Sequence, residues 1–237
     1  MQNYRINRLV LACLALLVVA SYGILLVGQT ALDWLIKEDG LIESVGTVGY
    51  FVAGLFFLGV WWQRRREKRP FFWFKQLAYI GLAAMLIFVA GEEISWGQRI
   101  FNFDTPDDLR EINTQDEFNF HNLEVIQGNS LLNTDRLLTL FALGFTLILP
   151  ITAVLHPPTG KWLNQLVPVT PWLLGLLFLL NYIVANAFRP LFEGSIWYQS
   201  SYPLKHSTVE LKEAIYGLLF AVVGYYVWRL TAKPHND

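Results

Sequence analysis

Apolar segments of membrane-spanning length alternate with polar connections along the 237-residue chain. About 17 to 25 apolar residues form a helix long enough to cross the hydrocarbon core of a bilayer. We predict that residues 1–237 form a single membrane domain, an all-α bundle of about six transmembrane helices. The predicted spans are 8–28, 45–62, 72–96, 136–155, 168–188 and 208–230.

The composition supports this class. Hydrophobic residues make up 54% of the chain and charged residues only 16%, whereas about a quarter of a soluble domain is charged. The net charge of −1 gives no indication of a nucleic-acid partner. Cys13 is the only cysteine, which excludes a disulfide within the chain and a CxxC metal or redox site.

Charge asymmetry predicts the orientation. With six spans, the basic residues at Arg5, Arg8, 63–70, Lys161, Arg229 and Lys233 lie at or beyond helix ends that fall on one side. By the positive-inside rule this side is cytoplasmic and holds both termini. Only Glu67 and Asp237 of the 19 acidic residues fall there. We expect a bacterial inner-membrane protein whose loop 102–135 packs over the extracytoplasmic mouth.

The stretch GEEISWGQRIF, residues 91–101, carries the most unusual charges. Glu92 and Glu93 lie near the C-terminal end of a predicted helix, where the helix dipole disfavours negative charge. If that helix continues, Glu92, Ser95 and Arg99 share one face. An acid pair at the membrane edge needs protonation, a nearby cation or a metal. A salt bridge to Arg99, Arg189 or Lys205 and a functional site are the two alternatives.

Two further predicted outer segments combine histidine with glutamate. FHNLE places His121 and Glu124 at i, i+3, and HSTVELKE places His206, Glu210 and Glu213 at i, i+4, i+7. A purely structural alternative exists for Glu210. Together with Ser207 it matches the capping box that begins many helices.

Imidazoles and carboxylates gathered at one membrane face favour a divalent-metal site, with zinc as the expected ion. The predicted ligands are His121, His206, Glu92, Glu93, Glu124 and Glu210. The predicted catalytic residues are Glu92, Glu93, Ser95 and Arg99. One glutamate would act as general base, and Arg99 would hold an anionic headgroup or the developing oxyanion. The predicted function is a metal-dependent hydrolase of a lipid or lipid-linked substrate at the outer leaflet.

The pattern GEEISWGQRIF followed by FHNLE resembles one that recurs in uncharacterised bacterial polytopic membrane proteins. It covers residues 91–124 and implies no activity. A second resemblance is to the alkaline ceramidase and adiponectin-receptor superfamily, which implies a zinc site for hydrolysis among seven helices. This chain departs from that family in having six predicted helices. It also has His206-x-x-x-Glu210 where the family has His-x-x-x-His.

Two other functions remain open. Acidic helix ends also suit a cation or solute transporter, although the helix centres lack the charged residues of a proton-coupled carrier. The third alternative is an accessory subunit whose outer loop binds a partner. Membrane lipids are the expected partners, and a homo-oligomer or a membrane complex is compatible with the sequence.

Overall fold

The computed structural model describes residues 6–37, 40–67, 72–127 and 133–232. Within these ranges the protein is helical and has no strand, only an isolated bridge between Asn113 and Leu123. Six helices there are long and apolar enough to cross a membrane, which confirms the predicted all-α membrane bundle. Several charges used to predict the orientation lie outside the described residues: Arg5, Lys233, Asp237 and residues 68–70.

We number the six long helices α1 to α6. They are Arg8–Leu26, Leu41–Arg64, Phe72–Glu93, Thr134–Leu155, Trp172–Phe192 and Leu204–Ala232. The last part of α1, Tyr22–Leu26, is a 3-10 helix, and Gly144–Ile148 in α4 is a π-helical turn. Shorter helices lie in the connections: Gln29–Ile36, Gln98–Phe101, Asp107–Arg110, Glu124–Gln127 and Pro157–Leu166.

The six helices alternate in direction. One end of the bundle therefore collects the C-terminal ends of α1, α3 and α5 and the N-terminal ends of α2, α4 and α6. We call it the acidic end, because Glu43, Glu93, Asp135 and Glu210 lie around one cavity there. Arg64, near the end of α2, belongs to the opposite, basic end.

The backbones of helices α2 and α6 approach each other very closely in the bundle core. A Cβ added to Gly49 would lie 2.4 Å from the backbone carbon of Gly217, and one added to Gly46 would lie 2.8 Å from the Cα of Ala214. Only small side chains allow two membrane helices to approach so closely. The contact also fixes the register of α6, since the Tyr50 hydroxyl donates to the Glu213 carbonyl at 2.8 Å.

The irregular turn in α4 has a local cause. Pro150 has no N–H to donate to the carbonyl of Thr146 four residues earlier, and the π-helical turn ends two residues before it, at Ile148. The Thr146 carbonyl lies against α5, where a Cβ on Gly175 would be only 2.2 Å from it. Pro150 and Gly175 thus let α4 and α5 pack closely around an irregular backbone.

Asn181 joins three helices inside the bundle. Its side-chain oxygen accepts from the Tyr22 hydroxyl at 2.8 Å, and its side-chain nitrogen donates to the Lys212 carbonyl at 2.9 Å. Both groups of the buried amide are therefore satisfied, as a buried polar side chain requires. These bonds hold α1, α5 and the first part of α6 together beside the cavity.

The start of α6 corrects one prediction. The helix begins at Leu204, directly after Pro203, so Ser207 lies inside the helix rather than at its cap. The Ser207 hydroxyl lies 2.7 Å from the Tyr198 hydroxyl. The capping-box interpretation of Ser207 and Glu210 is therefore wrong, and Glu210 does not bond back to a helix cap.

Candidate functional site

The turn that follows α3 at the acidic end has a left-handed backbone. Helix α3 ends at Glu93, and Ser95, Trp96 and Gly97 follow with φ of 46°, 55° and 77°. Left-handed backbone costs about 1–2 kcal/mol at each non-glycine residue. Because the helix stops there, Glu92, Ser95 and Arg99 do not share one helical face, and that prediction is wrong.

Glu92 is buried beneath this turn with a full set of donors. Its carboxylate accepts from the indole N–H of Trp96 at 2.7 Å and from the backbone N–H groups of Phe120 and His121 at 2.7 and 2.9 Å. The Nδ1 atom of His121 lies 3.7 Å from the same carboxylate. Glu92 thus fixes the loop to α3 and holds His121 in place.

Glu117, in the loop, is a second saturated carboxylate. It accepts from the guanidinium of Arg99 at 2.5 Å, the hydroxyl of Ser95 at 3.0 Å, and the amides of Asn119 and Asn122 at 2.6 and 3.0 Å. Two predicted catalytic residues, Ser95 and Arg99, are therefore engaged in binding this loop. Their observed contacts are architectural.

Amide side chains continue the same network through the loop. Asn113 donates to Asn119 and accepts from the backbone N–H groups of Gln115 and Glu117. Gln98 donates to the Thr105 hydroxyl and accepts from the Phe118 N–H, both at 2.8 Å. The polar segment between Phe101 and Glu124 consequently lies against the end of α3 through many side-chain bonds, although it contains little regular structure.

Beside this loop, a cavity of about 1030 Å³ opens at the acidic end. It is bounded by the loop and by the ends of α2 to α6. Its charged and imidazole lining residues are Glu43, Glu93, Glu117, His121, Asp135, Arg136, Arg189, Lys205, His206, Glu210, Lys212 and Glu213. The size falls at the upper end of the range of small-molecule sites.

Three carboxylates converge in the cavity. Oxygen atoms of Glu93, from α3, and of Glu210 and Glu213, from α6, all lie within 4.8 Å of one another. Among the described residues, no hydrogen-bond donor reaches the carboxylate of Glu93 or Glu213. Three such acids repel one another unless protons or a cation join them. Oxygens bound to one divalent ion at about 2.0–2.6 Å would have separations of this order.

The two histidines face the same cavity. Nδ1 of His206 lies 3.7 Å from the Glu210 carboxylate, and the His206 ring stacks on Tyr202 with ring centroids 5.4 Å apart. Burial lowers the pKa of His121, but the bond with Glu92 and the charges of Glu93 and Glu210 outweigh it and raise the pKa above its ordinary value. His121 therefore has a stronger tendency to carry a proton than a histidine in water.

The remaining charges of the cavity fall into two groups. Asp135, at the start of α4, is paired with the buried Lys212 of α6. Arg189 and Lys205 form no ion pair with any described residue, so neither neutralises Glu92 or Glu93. The salt-bridge alternative considered for Glu92 and Glu93 is therefore not observed for these two cations, and Arg99 binds Glu117 instead.

Only some of the site residues predicted from the sequence line the cavity. Glu93, His121, His206 and Glu210 line the cavity. Glu92 lies behind His121, and Glu124 is exposed at the start of a short helix and does not line the cavity. Glu213 was not among the predicted ligands, although its spacing from Glu210 gave a helical signal. Glu117 and Asp135 had no comparable signal, because their neighbours come from distant segments.

No protein-family model, no curated protein and no solved structure matches the chain. Function must therefore be argued from the cavity itself.

Proposed function

We propose that the protein is a membrane-embedded, metal-dependent hydrolase whose reaction takes place in the cavity at the acidic end. The observation that carries the proposal is the convergence of Glu93, Glu210 and Glu213, within 4.8 Å, beside two imidazoles. Carboxylates without hydrogen-bond donors are costly at a membrane edge. A divalent cation would offset their repulsion and provide a Lewis acid for hydrolysis.

The donor set favours an oxygen-preferring ion. Three carboxylates suit Mn²⁺ or Mg²⁺ better than the zinc expected from the sequence, because zinc sites usually contain more nitrogen or sulfur ligands. A contribution from His206 would move the preference back towards zinc or iron. The proposed ligands are therefore Glu93, Glu210 and Glu213, with His206 next to them.

The proposed substrate is an ester or phosphoester of a lipid or a lipid-linked molecule. One O–H bond of water breaks, its oxygen bonds to the carbonyl carbon or phosphorus, and the ester bond to the leaving oxygen breaks. His206 is placed to accept the proton from water and return it to the leaving oxygen, since Glu210 lies 3.7 Å from its ring. Glu92 and Arg99 receive positioning roles in this scheme instead of the catalytic roles predicted from sequence.

The bundle core argues against the transporter alternative. Among the described residues, buried positions between the cavity and the basic end are mainly apolar, including Phe178, Phe220 and Val223. A conducting path would require polar groups or water along this depth. The accessory-subunit alternative predicts no metal and no turnover, so the same experiment tests it.

Metal analysis of the purified, full-length protein tests the proposal. We expect about one Mn²⁺ per chain at saturation, and Glu210→Gln/Glu213→Gln should weaken binding by at least about tenfold, as loss of metal-site residues commonly does. Glu124→Gln is the matched control, because its carboxylate is exposed outside the cavity. Wild-type affinity in the double variant, or a wild-type protein that binds no divalent ion, would refute the proposal.

Activity provides the second half of the test. Hydrolysis of short-chain phospholipids and acyl esters should depend on the added cation, and His206→Gln should lower kcat more than it changes KM. His156→Gln serves as the control, since His156 is exposed outside the cavity. Equal activity with and without a chelator would contradict a metal-dependent mechanism.

The orientation belongs to the same proposal. The positive-inside rule places the basic end in the cytoplasm and the cavity at the outer leaflet of a bacterial inner membrane. Reporter fusions should be cytoplasmic near residue 66 and external near residue 112. A cytoplasmic signal at residue 112 would reverse the orientation and move the cavity to the inner leaflet.

A further inference from the structure

Arg189 lies in the cavity wall, and only one nitrogen of its guanidinium group donates a hydrogen bond among the described residues. Its Nε donates to the Thr208 hydroxyl at 2.9 Å, and Thr208 is completely buried. The Thr208 hydroxyl is within bonding distance of the Leu204 carbonyl at 2.9 Å, so the acceptor is itself held in place. No acidic side chain of the described residues forms an ion pair with this guanidinium.

Lys205 adds a second positive charge to the same cavity. It lies in the first turn of α6, three residues before Thr208, and lines the same cavity without an ion pair among the described residues. Two cations on one wall raise the local positive potential and need a counter-charge. Glu93, Glu210 and Glu213 are in the same cavity, yet Lys205 and Arg189 pair with none of them.

The polar wall continues along α5 towards the cavity interior. Tyr182 and Asn186 precede Arg189 at helical spacing and line the cavity with it. The Asn186 amide nitrogen donates to the Tyr182 carbonyl at 2.8 Å, which leaves its oxygen for another partner. The wall therefore offers a guanidinium fork, an ammonium group and neutral polar groups on adjoining helix faces.

An apolar border accompanies this wall. Leu140 of α4 lines the cavity and is 69% exposed on the bundle surface, and Ile36 and Val209 also line the cavity. An amphiphile with a charged head could thus place its head against α5 and α6 and its chains against the outer surface of α4. A soluble anion would gain nothing from this border.

We propose that Arg189 and Lys205 bind the phosphate group of an anionic lipid, which is the substrate of the proposed hydrolase or its leaving portion. The inference rests on the proposed function, which it narrows from lipid esters in general to phosphate-bearing lipids. An arginine fork bonds two phosphate oxygens at once, whereas lysine contributes a point charge. Lys205 and Glu210 are separated by a rise of about 7.5 Å along the axis of α6, at 1.5 Å per residue. This rise is comparable to the length of one lipid headgroup.

Binding measurements on the full-length protein in phosphatidylcholine nanodiscs test this site. The probe is dihexanoyl phosphatidic acid, compared with dihexanoylglycerol and inorganic phosphate, and the protein is saturated with Mn²⁺. We expect phosphatidic acid to bind most tightly and Arg189→Gln to reduce its affinity by at least about tenfold, the effect of losing a charged hydrogen-bonding pair. Arg189→Lys should recover part of that loss.

Matched variants separate the possible outcomes. Lys205→Gln should weaken binding, while Lys37→Gln should not, because Lys37 is exposed and does not line the cavity. Equal binding by wild type and Arg189→Gln, or equal losses in Lys205→Gln and Lys37→Gln, would overturn the assignment. Tighter binding of inorganic phosphate than of phosphatidic acid would refute a lipid ligand.

The two proposals can fail separately. Arg189→Gln should keep wild-type Mn²⁺ affinity, and Glu210→Gln/Glu213→Gln should lose Mn²⁺ but keep most of the Arg189-dependent lipid binding in chelator. If the protein binds metal but its lipid binding does not depend on Arg189, only the proposed phosphate site is refuted. If the protein binds lipid through Arg189 but binds no divalent ion, the proposed hydrolase function is refuted and the lipid-binding site stands.

Discussion

Glu92 and Glu93 are neighbours in the sequence, but their carboxylates have opposite surroundings. Glu92 accepts three hydrogen bonds and lies beside the ring of His121. Glu93 has no donor among the described residues and shares the cavity with Glu210 and Glu213. Successive residues on a helix point about 100° apart. One carboxylate therefore faces the loop and the other faces the cavity.

The contrast extends beyond these two residues. The loop satisfies its buried acids fully, as Glu117 with its four side-chain donors also shows. The cavity gathers like charges and leaves cations such as Arg189 without acidic partners. Satisfied buried polar groups stabilise one conformation, whereas unsatisfied charges in a cleft are typical of binding sites. The loop thus has the contacts of a scaffold, and the cavity has the charges expected of the proposed site.

The largest expected effect is that of Glu92→Ala. It would leave the indole of Trp96 and the backbone N–H groups of Phe120 and His121 without their acceptor. An unsatisfied buried donor costs about 1–3 kcal/mol. Because these three hydrogen bonds are only partly buried, we expect about 3 kcal/mol of destabilisation in total. The apparent melting temperature of the protein in detergent should fall clearly, with the loop becoming accessible to protease.

Glu92→Gln is the milder companion, because its amide oxygen can still accept. It should recover part of the stability lost in Glu92→Ala. A Glu92→Ala protein that melts like wild type and resists protease would show that the network does not hold the loop. Glu92 would then have no stabilising role to distinguish it from Glu93.

The sequence predicted one side of this contrast better than the other. Apolar length determines a membrane helix locally, so all six spans could be predicted, and the shared face of His206, Glu210 and Glu213 followed from helical spacing. The turn at Ser95 and Trp96 could not, because left-handed backbone at such residues is imposed by tertiary contacts. That turn directs Ser95 and Arg99 to Glu117. The catalytic roles predicted for Ser95 and Arg99 therefore took no account of this contact.

Glu93→Gln should act in the opposite direction on stability. Removing one of three mutually repelling carboxylates should raise the melting temperature of the metal-free protein. The free energy of unfolding should rise by about 1 kcal/mol, the repulsion between two charges at this separation in water. The same variant should bind Mn²⁺ at least about tenfold more weakly. Thermal melting in chelator and metal titration measure the two effects. A lower melting temperature in chelator would mean that Glu93, like Glu92, has a stabilising partner.

A smaller effect should appear in the pH dependence of stability. The pKa of His121 is raised in the folded protein, where its ring faces Glu92, Glu93 and Glu210. A histidine whose pKa is raised in the folded protein contributes its full stabilisation below the ordinary pKa of about 6.5. That stabilisation is lost as the pH rises through the pKa of the folded state. Melting temperatures in chelator should therefore decline over that window. His121→Gln should flatten the decline and His156→Gln should not; an equal slope in all three proteins would contradict the assignment.

Glu124→Gln should have the smallest effect, although the sequence predicted Glu124 as a metal ligand. Its spacing from His121 would place both on one helical face, but the helix Glu124–Gln127 begins only at Glu124. The backbone N–H of Glu124 instead donates to the Ile112 carbonyl at 2.9 Å, and its side chain is exposed. Because an exposed substitution away from a network usually changes stability by less than about 0.5 kcal/mol, melting temperature and Mn²⁺ affinity should both stay at wild-type values. A tenfold loss of metal affinity would bring Glu124 into the site. It would also mean that the loop moves when metal binds, so that the boundary between scaffold and cavity would no longer separate Glu92 from Glu93.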